Sequence, residues 1–292
     1  MLKHLLVAAL MLGAPATAQT LDTQIAQAEA AAARYTEFRT ARRDGWRPFG
    51  GEAPLMGRHY QLRNGPDYVT GDAIDFSRPS NLVYATINGR RTLVALAYIV
   101  RKRPDEPLPQ GFATREDIWH IHDGERFLSA IQETKPLAGA LAGRWFNDQI
   151  VQKDGRTQLS MVHYWLIPNP KGRFASHNPT LAYRDLNLPV SWATDMEAAR
   201  GIALAQANGC DEALDAELWV SGASRATIRN IKSTCRGIAR QVREQLGGSR
   251  DEVQAFARAA WRGLEDARYF ALTPDERRRM TAFVEDGPGV CR

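Results

Sequence analysis

The chain has 292 residues, of which 44% are hydrophobic and 24% charged, so disordered, collagen-like and low-complexity proteins are excluded and the length suits one large or two smaller domains. The mean hydropathy of -0.39, with one apolar run at the N-terminus, excludes a polytopic membrane protein. The net charge of +5 is thinly spread: runs of three basic residues occur only at 101–103 and 277–279, each close to acidic residues, so we predict no nucleic-acid partner.

The first 18 residues have the pattern of a secretory signal peptide. A short basic region at positions 3–4 precedes the apolar run 5–12, which is too short to span a bilayer, and Ala16 and Ala18 provide the small residues of a cleavage site. We therefore expect cleavage after Ala18, a periplasmic or secreted protein, and no transmembrane segment in the remaining chain. An uncleaved N-terminal anchor is the alternative.

The mature chain opens with an apolar pattern of helical spacing. Leu21, Ile25, Ala28 and Ala32 repeat at three or four residues, which predicts one amphipathic helix over about 21–44.

A β-rich segment follows, from about Pro54 to Pro189. Its clearest element is Asn88-Gly89 between the apolar runs 81–87 and 90–100, a pattern that predicts a hairpin with a type I′ turn.

The hairpin turn also predicts a register and a degree of burial. A two-residue turn places Tyr84 opposite Leu93 and Val83 opposite Val94. The second arm is almost entirely apolar, so we expect both of its faces to be buried.

Two further turns follow in this segment. Asp154-Gly155 separates the candidate strands 145–152 and 157–167, and the Pro- and Gly-containing stretch 169–172 has the pattern of a type I turn. The sheet is therefore predicted to be mainly antiparallel.

The pattern of the last hundred residues predicts helices. Capping boxes are predicted at three places, and apolar stripes follow two of the helices. The boxes are Thr194 with Glu197, Ser249 with Glu252, and Thr273 with Glu276; the stripes are Ile228, Ile231, Cys235, Ile238 and Val242, and Val253, Phe256, Ala260 and Leu264.

The three cysteines Cys210, Cys235 and Cys291 all lie in this helical third. An oxidising compartment favours one disulfide, and any of the three pairings is open. A catalytic thiol is disfavoured because no histidine lies in this part of the chain. The predicted fold is α+β, with an N-terminal helix and antiparallel sheet over 19–191 and a helical subdomain over 192–292.

Five histidines remain after signal removal, and all lie in the β-rich middle. We predict His59, His120, His122 and His163 as metal ligands, because residues i and i+2 of a strand share one face and neutral imidazoles suit zinc or copper. We expect His177, which lies in a loop, on the surface.

Other side chains near the histidines refine this prediction. Met161 shares a face with His163 and would favour copper, and Trp165 could wall the site. Asp117, Asp123 and Glu125 could orient imidazole N–H groups, or one of them could act as a base. The alternative is that the histidines only pack beside tryptophans.

A set of short segments occurs in a fixed order over roughly residues 25–180. The segments are Asp44-Gly45-Trp46, Met56-Gly57 with His59-Tyr60, Asp117 with Trp119-His120, His163 with Trp165, Asn169-Pro170 with Gly172 and Phe174, and Asn178-Pro179. Through these segments the chain resembles a group of exported bacterial proteins of unknown function. The resemblance implies export and importance for His59, His120 and His163, and it implies no reaction.

Three functions follow from these observations. The first is an exported protein that binds copper or zinc through its histidines, and the second is an envelope interaction or scaffold module without metal. The third is a metal-dependent hydrolase or oxidoreductase with Asp123 or Glu125 as a base. Because the motifs of nucleophile elbows, phosphate-binding loops, dinucleotide sites and zincins are absent, we predict no catalytic residue.

Overall fold

The computed structural model describes residues 19–114, 119–123 and 155–285. The predicted signal peptide, the predicted strand 145–152 and Cys291 lie outside these residues. Within the described ranges, no helix has the length and apolar character needed to cross a membrane.

Two helices form where the sequence predicts one helix over 21–44. They are α1 (Leu21–Ala33) and α2 (Phe38–Arg43), so the prediction of a single helix is wrong. In the turn between them, the carbonyl oxygen of Tyr35 accepts a hydrogen bond of 2.5 Å from the Tyr84 hydroxyl instead of one from a following helical turn. This bond anchors the turn to the sheet and satisfies the Tyr35 carbonyl group.

The described residues include seven strands of one sheet, in the order β1-β2-β4-β5-β7-β6, with β3 beside β5. Only β3 and β5 are parallel among these pairs, so the predicted, mainly antiparallel sheet is confirmed. The sheet begins earlier in the chain than predicted. The strands are β1 (Arg47–Ala53), β2 (Gly57–Gln61), β3 (Tyr68–Val69), β4 (Asn81–Ile87), β5 (Arg90–Lys102), β6 (His120–Asp123) and β7 (Gln158–Trp165).

Strands β4 and β5 form the predicted hairpin. Asn88 and Gly89 have φ angles of +51° and +72°, and Ile87 pairs with Arg90 on either side of them. Two consecutive positive φ angles are typical of a type I′ turn, which Asn-Gly favours. The predicted burial of the second arm is also confirmed, since β5 is buried along most of its length from Leu93 onward.

The register of the hairpin is only partly as predicted. Tyr84 lies opposite Leu93, but Val83 lies opposite Ala95 and not opposite Val94. A β-bulge between Val83 and Tyr84 shifts the pairing by one residue, because two residues of one strand then oppose one residue of the other.

The two faces of the sheet carry side chains of different size. One face, here called the aromatic face, packs against α1 and α2, and the hydroxyl of Tyr164 donates to Glu29 of α1 at 2.7 Å. The opposite face, here called the alanine face, has small residues on its central strands and packs against Leu181. The aromatic face includes Tyr60, Leu82, Tyr84, Leu96, Tyr98 and Tyr164; the alanine face includes Val83, Ala85, Ala95, Ala97, Met161 and Trp165.

The C-terminal part is helical, as predicted, and its first helix precedes residue 192. The helices are α3 (Thr180–Asp185), α4 (Met196–Leu204), α5 (Gly209–Val220), α6 (Arg225–Gln245), α7 (Arg250–Ala271) and α8 (Pro274–Glu285), with a 3₁₀ turn at Val190–Trp192.

Two of the three predicted capping boxes are confirmed. Ser249 caps α7 reciprocally with Glu252. The backbone N–H of Thr273 donates to Glu276 at 2.8 Å, and the N–H of Glu276 donates back to the Thr273 hydroxyl at 3.3 Å.

The box predicted at Thr194 is wrong. Asp195 is the N-cap of α4, and its carboxylate accepts a hydrogen bond of 3.0 Å from the N–H of Ala198. Glu197 is then free to pair with Arg262 of α7, so a contact between two helices replaces the predicted local one.

Helices α4 and α7 approach each other at a glycine. A Cβ atom placed on Gly201 would lie 1.9 Å from the carbonyl oxygen of Ala257, so only glycine fits there. Val253, Ala257 and Leu264 are buried along this side of α7. The predicted stripe is therefore shifted at its centre, where Ala257 and not Ala260 is the buried residue.

A disulfide joins the start of α5 to α6. It links Cys210 and Cys235, which are 25 residues apart, and both side chains are buried. One of the three pairings that the sequence left open is therefore present. Closing a loop of this length contributes about 3.5 kcal/mol to stability in the chain-entropy account.

Candidate metal centre

Strand order brings the predicted ligands onto the alanine face. His59 lies opposite Val83, His163 lies opposite Ala97, and His120 lies opposite Met161. Directly opposed residues of antiparallel strands share a face, so these three imidazoles stand on the side that carries the small residues. His122 follows two residues after His120 on β6 and shares that face.

His59 and His163 meet although two strands, β4 and β5, separate β2 from β7. Their Nε2 atoms are 2.9 Å apart, within hydrogen-bond distance, and their ring centroids are 5.2 Å apart. The side chains between them on this face include Ala95 and Ala97, whose single methyl groups leave room for two imidazoles to reach across the sheet.

His120 and His122 extend the cluster on the side of β7. The ring of His120 lies 5.0 Å from that of His163, nearly parallel at 27°, and 5.1 Å from that of His122. The indole of Trp165 lies 5.7 Å from the His163 ring. The four predicted ligands therefore form one contiguous cluster, with Trp165 at its edge as predicted.

Several ring nitrogens in this cluster are buried without a hydrogen-bond partner. They are both nitrogens of His120, Nε2 of His122 and Nδ1 of His163. A neutral imidazole has one N–H donor and one acceptor lone pair, so whichever tautomer His120 adopts, both its donor and its acceptor are unsatisfied. Leaving such a buried group unpaired costs about 1–3 kcal/mol.

The hydrogen bond between His59 and His163 constrains their tautomers. One Nε2 atom donates and the other accepts. If the Nε2–H of His163 donates to His59, the Nδ1 atom of His163 is an unprotonated nitrogen with a free lone pair. In that assignment the single N–H of the His163 ring has an acceptor, and the buried atom without a partner is the unprotonated Nδ1.

Burial holds the four imidazoles in the neutral form. Desolvation, followed by repulsion from His122, lowers the pKa of His59 to about 3, and desolvation lowers the pKa of His122 to about 4. The pKa values of His120 and His163 also fall well below the ordinary value, first through burial and then through their histidine neighbours. Neutral imidazoles are the form that binds metal ions.

The cluster is not yet in the geometry of a metal site. Within the described residues, no group of three or more His, Cys, Asp and Glu side chains is placed to hold an ion. Nearly parallel rings, such as those of His120 and His163, direct their lone pairs into separate planes. An ion would have to lie in the plane of each ring, about 2.0–2.1 Å from its nitrogen, so binding requires rotation of at least one imidazole.

The other residues predicted near the site have mixed outcomes. Met161 is buried on the alanine face opposite His120, where the sequence places it. Asp117 and Glu125 lie outside the described residues. Asp123 ends β6, and only its backbone is described, where it pairs with Gln158.

His177 is more buried than predicted. It is half-buried rather than on the open surface, and burial, followed by the charge of Arg200, lowers its pKa to about 4. Its Nδ1 atom lies 3.0 Å from the Ser176 hydroxyl, so this ring already has a polar partner. The loop folds back because Trp165 donates its indole N–H to the Ala175 carbonyl oxygen.

Asn81 is a residue of this face that the sequence analysis missed. It is completely buried, and neither atom of its amide has a hydrogen-bond partner. Its register partner on β5 is Ala97, which is itself opposite His163. The only signal in the sequence is a polar residue at the start of an apolar strand.

Comparisons with protein-family models, with curated proteins and with solved structures find no match to this chain. The resemblance to exported bacterial proteins therefore remains a prediction, and function has to be argued from the histidine cluster itself.

Proposed function

We propose that this protein binds one first-row transition-metal ion, zinc or copper, through His59, His120 and His163, with His122 as a fourth ligand. The observation that carries the proposal is the set of buried, unpartnered ring nitrogens on His120, His122 and His163. Buried polar groups in native proteins nearly always have partners, and a bound ion would supply one to the lone pairs of these nitrogens.

The chemistry of the cluster suits such an ion. All four imidazoles are neutral and buried, so their lone pairs need no proton released before they can bind. The nearby thioether of Met161 is a soft donor and would shift the preference toward copper.

Metal binding would remodel the cluster by a small amount. The Nε2 atoms of His59 and His163 are 2.9 Å apart. Binding through both Nε2 atoms would move the proton of their hydrogen bond to Nδ1 of the same ring. Two ligands at a tetrahedral ion stand about 3.3 Å apart, so the two nitrogens would separate by a few tenths of an ångström. The stacked ring of His120 would have to turn relative to that of His163.

The cellular setting that we propose is export to the periplasm or beyond the cell. It rests on the N-terminal pattern and on the disulfide, since disulfides persist in oxidising compartments. Metal carriage or buffering in that compartment is the task that this proposal assigns, without a catalysed reaction.

Metal binding is tested with protein stripped by a chelator and titrated calorimetrically with Zn²⁺ and with Cu²⁺. We expect one equivalent to bind and to raise the melting temperature, because a ligand that binds only the native state stabilises it. The His163→Ala variant should lose binding. The matched control is His177→Ala, a half-buried histidine with a partner of its own, which should bind as the wild type does. Full occupancy in His163→Ala, or no binding by the wild type, would contradict the proposal.

An envelope interaction or scaffold module without metal is the second candidate. It is favoured by the stacking of His120 on His163 and by the absence, in the described part of the chain, of three donors placed around one point. It predicts that the dialysed protein holds no metal and that neither ion changes its melting temperature.

A further inference from the structure

A second site stands apart from the histidines, where three helical segments meet. A cavity of about 270 Å³ opens between the end of α4, the first turn of α5 and the C-terminal half of α6. Its charged lining consists of Arg236, Arg240, Arg243 and Asp211, beside the amides of Gln206 and Asn208.

The walls of this cavity are fixed to one another. The disulfide between Cys210 and Cys235 joins α5 to α6, with Cys210 itself in the lining. Asp211 on α5 pairs with Lys232 on α6 at 3.2 Å. Arg243 donates from Nε to the carbonyl oxygen of Ala205 at 2.8 Å, which ties α6 to the end of α4. The cavity is therefore preformed rather than a gap between mobile elements.

The cavity carries an excess of positive charge. Three arginines face one aspartate, and the charge of Asp211 is already matched by Lys232. Arg236 lies 3.7 Å from Asp211 and keeps two thirds of its side chain exposed, at 66%. Arg240 is exposed and has no ion-pair partner among the described residues. The guanidinium group of Arg240 is thus available to a ligand, and that of Arg236 is held only by a 3.7 Å ion pair with Asp211.

The arginines of the cavity belong to a longer basic stripe on α6. The helix has six basic residues and one acidic residue, Glu244, and the basic residues are spaced by three or four positions. At 100° per residue they fall within an arc of about 80°, over about 27 Å of helix. The stripe consists of Arg225, Arg229, Lys232, Arg236, Arg240 and Arg243.

We propose that this cavity binds a small phosphorylated ligand, with Arg236 and Arg240 as its principal contacts. Guanidinium groups match the geometry of phosphate oxygens and hydrogen-bond them in pairs. The positive charge of the cavity itself would attract the anion from solution. A concave, pre-tied pocket suits a small ligand better than it suits a flat lipid surface. The proposal is independent of metal binding at the histidines.

The test is calorimetric titration of the whole protein with pyrophosphate in 150 mM salt. We expect a Kd below about 1 mM for the wild type. Arg240→Gln should weaken binding at least about tenfold, because the ligand would lose its charge-assisted hydrogen bonds to that guanidinium group. Arg229→Gln is the matched control: it removes the same charge from the same stripe, outside the cavity, and should change affinity less than about twofold.

Three outcomes would overturn the proposal. One is no heat of binding at millimolar pyrophosphate, and another is equal weakening by both variants, which would indicate diffuse attraction to the stripe. The third is sedimentation of the protein with phosphatidic acid vesicles when free pyrophosphate does not bind, which would assign the stripe to a membrane surface. Both substitutions lie at exposed helical positions, and unchanged circular dichroism would show that the variants fold.

Discussion

Replacement of His120 by leucine is expected to stabilise the metal-free protein while abolishing metal binding. Both ring nitrogens of His120 are buried and unpartnered, and the side chain is only 9% exposed. Leucine has a similar volume and no polar atom, so the substitution removes an unsatisfied donor and acceptor. Removing one unsatisfied buried group raises the free energy of unfolding by about 1–3 kcal/mol. For a chain of this size, each kcal/mol raises the melting temperature by about 2–4 °C.

The same change at His59 is expected to have the opposite sign. His59 is buried to a similar extent, at 7% exposure, but its Nε2 atom is hydrogen-bonded to that of His163. His59→Leu leaves the Nε2 atom of His163 buried without a partner, at a cost of about 1–3 kcal/mol. The two variants therefore form a matched pair, because each replaces one buried strand histidine of the alanine face. The two histidines differ in that only His59 is hydrogen-bonded.

Urea denaturation of the stripped proteins, followed by circular dichroism, measures both effects. His120→Leu should unfold at a higher urea concentration than the wild type, and His59→Leu at a lower one, with unchanged slopes. The reasoning is refuted if both variants shift in the same direction by similar amounts, because the nitrogens of His120 would then be satisfied in solution.

Two further predictions concern the helical part and its contact with the sheet. Burial, followed by repulsion from Glu52, raises the pKa of Glu212 to about 7. The contribution of the protonated carboxyl to stability is therefore fully present below about pH 4.5 and is lost as pH rises to 7. Glu212→Gln should flatten the fall in melting temperature between about pH 5 and pH 8, and an unchanged profile would contradict this. Gly201→Ala should destabilise by about 1–3 kcal/mol or more, because its Cβ would overlap the Ala257 carbonyl oxygen. Gly237→Ala on α6 meets nothing within 4 Å and should stabilise by about 0.5–1 kcal/mol, so equal urea midpoints for the two alanine variants would refute the packing argument.

Local signals in the sequence predicted local structure well. The Asn88-Gly89 turn and the caps at Ser249 and Thr273 depend on residues within four positions of one another, and all three are confirmed. The cap at Thr194 failed because the next residue, Asp195, is the N-cap of α4, which leaves Glu197 to pair with Arg262 far away in the chain. A long-range pairing of this kind leaves no mark on a capping pattern.

The sequence predicts which histidines share a face of a strand, but it does not predict the distances between histidines of different strands. The spacing of His120 and His122 places both on one side of a strand, whichever neighbour that strand has. The meeting of His59 with His163 depends on the strand order β2-β4-β5-β7, which no local pattern encodes. The basic stripe of α6 was missed for a related reason: its members are dispersed in the sequence and align only at helical periodicity.

The alternation along β5 explains why the cluster can exist at all. Residues 93–98 read Leu-Val-Ala-Leu-Ala-Tyr, so one face receives Leu96 and Tyr98 while the other receives Val94 and the two alanines, Ala95 and Ala97. A β-branched or aromatic residue at either alanine would fill the space through which His59 and His163 meet. Small side chains in a sheet bury little apolar area, and orphaned nitrogens add a further cost, so the metal-free site is destabilising twice over. A bound ion would offset both costs, which is the physical reason for preferring a metal at this face over histidines that only pack.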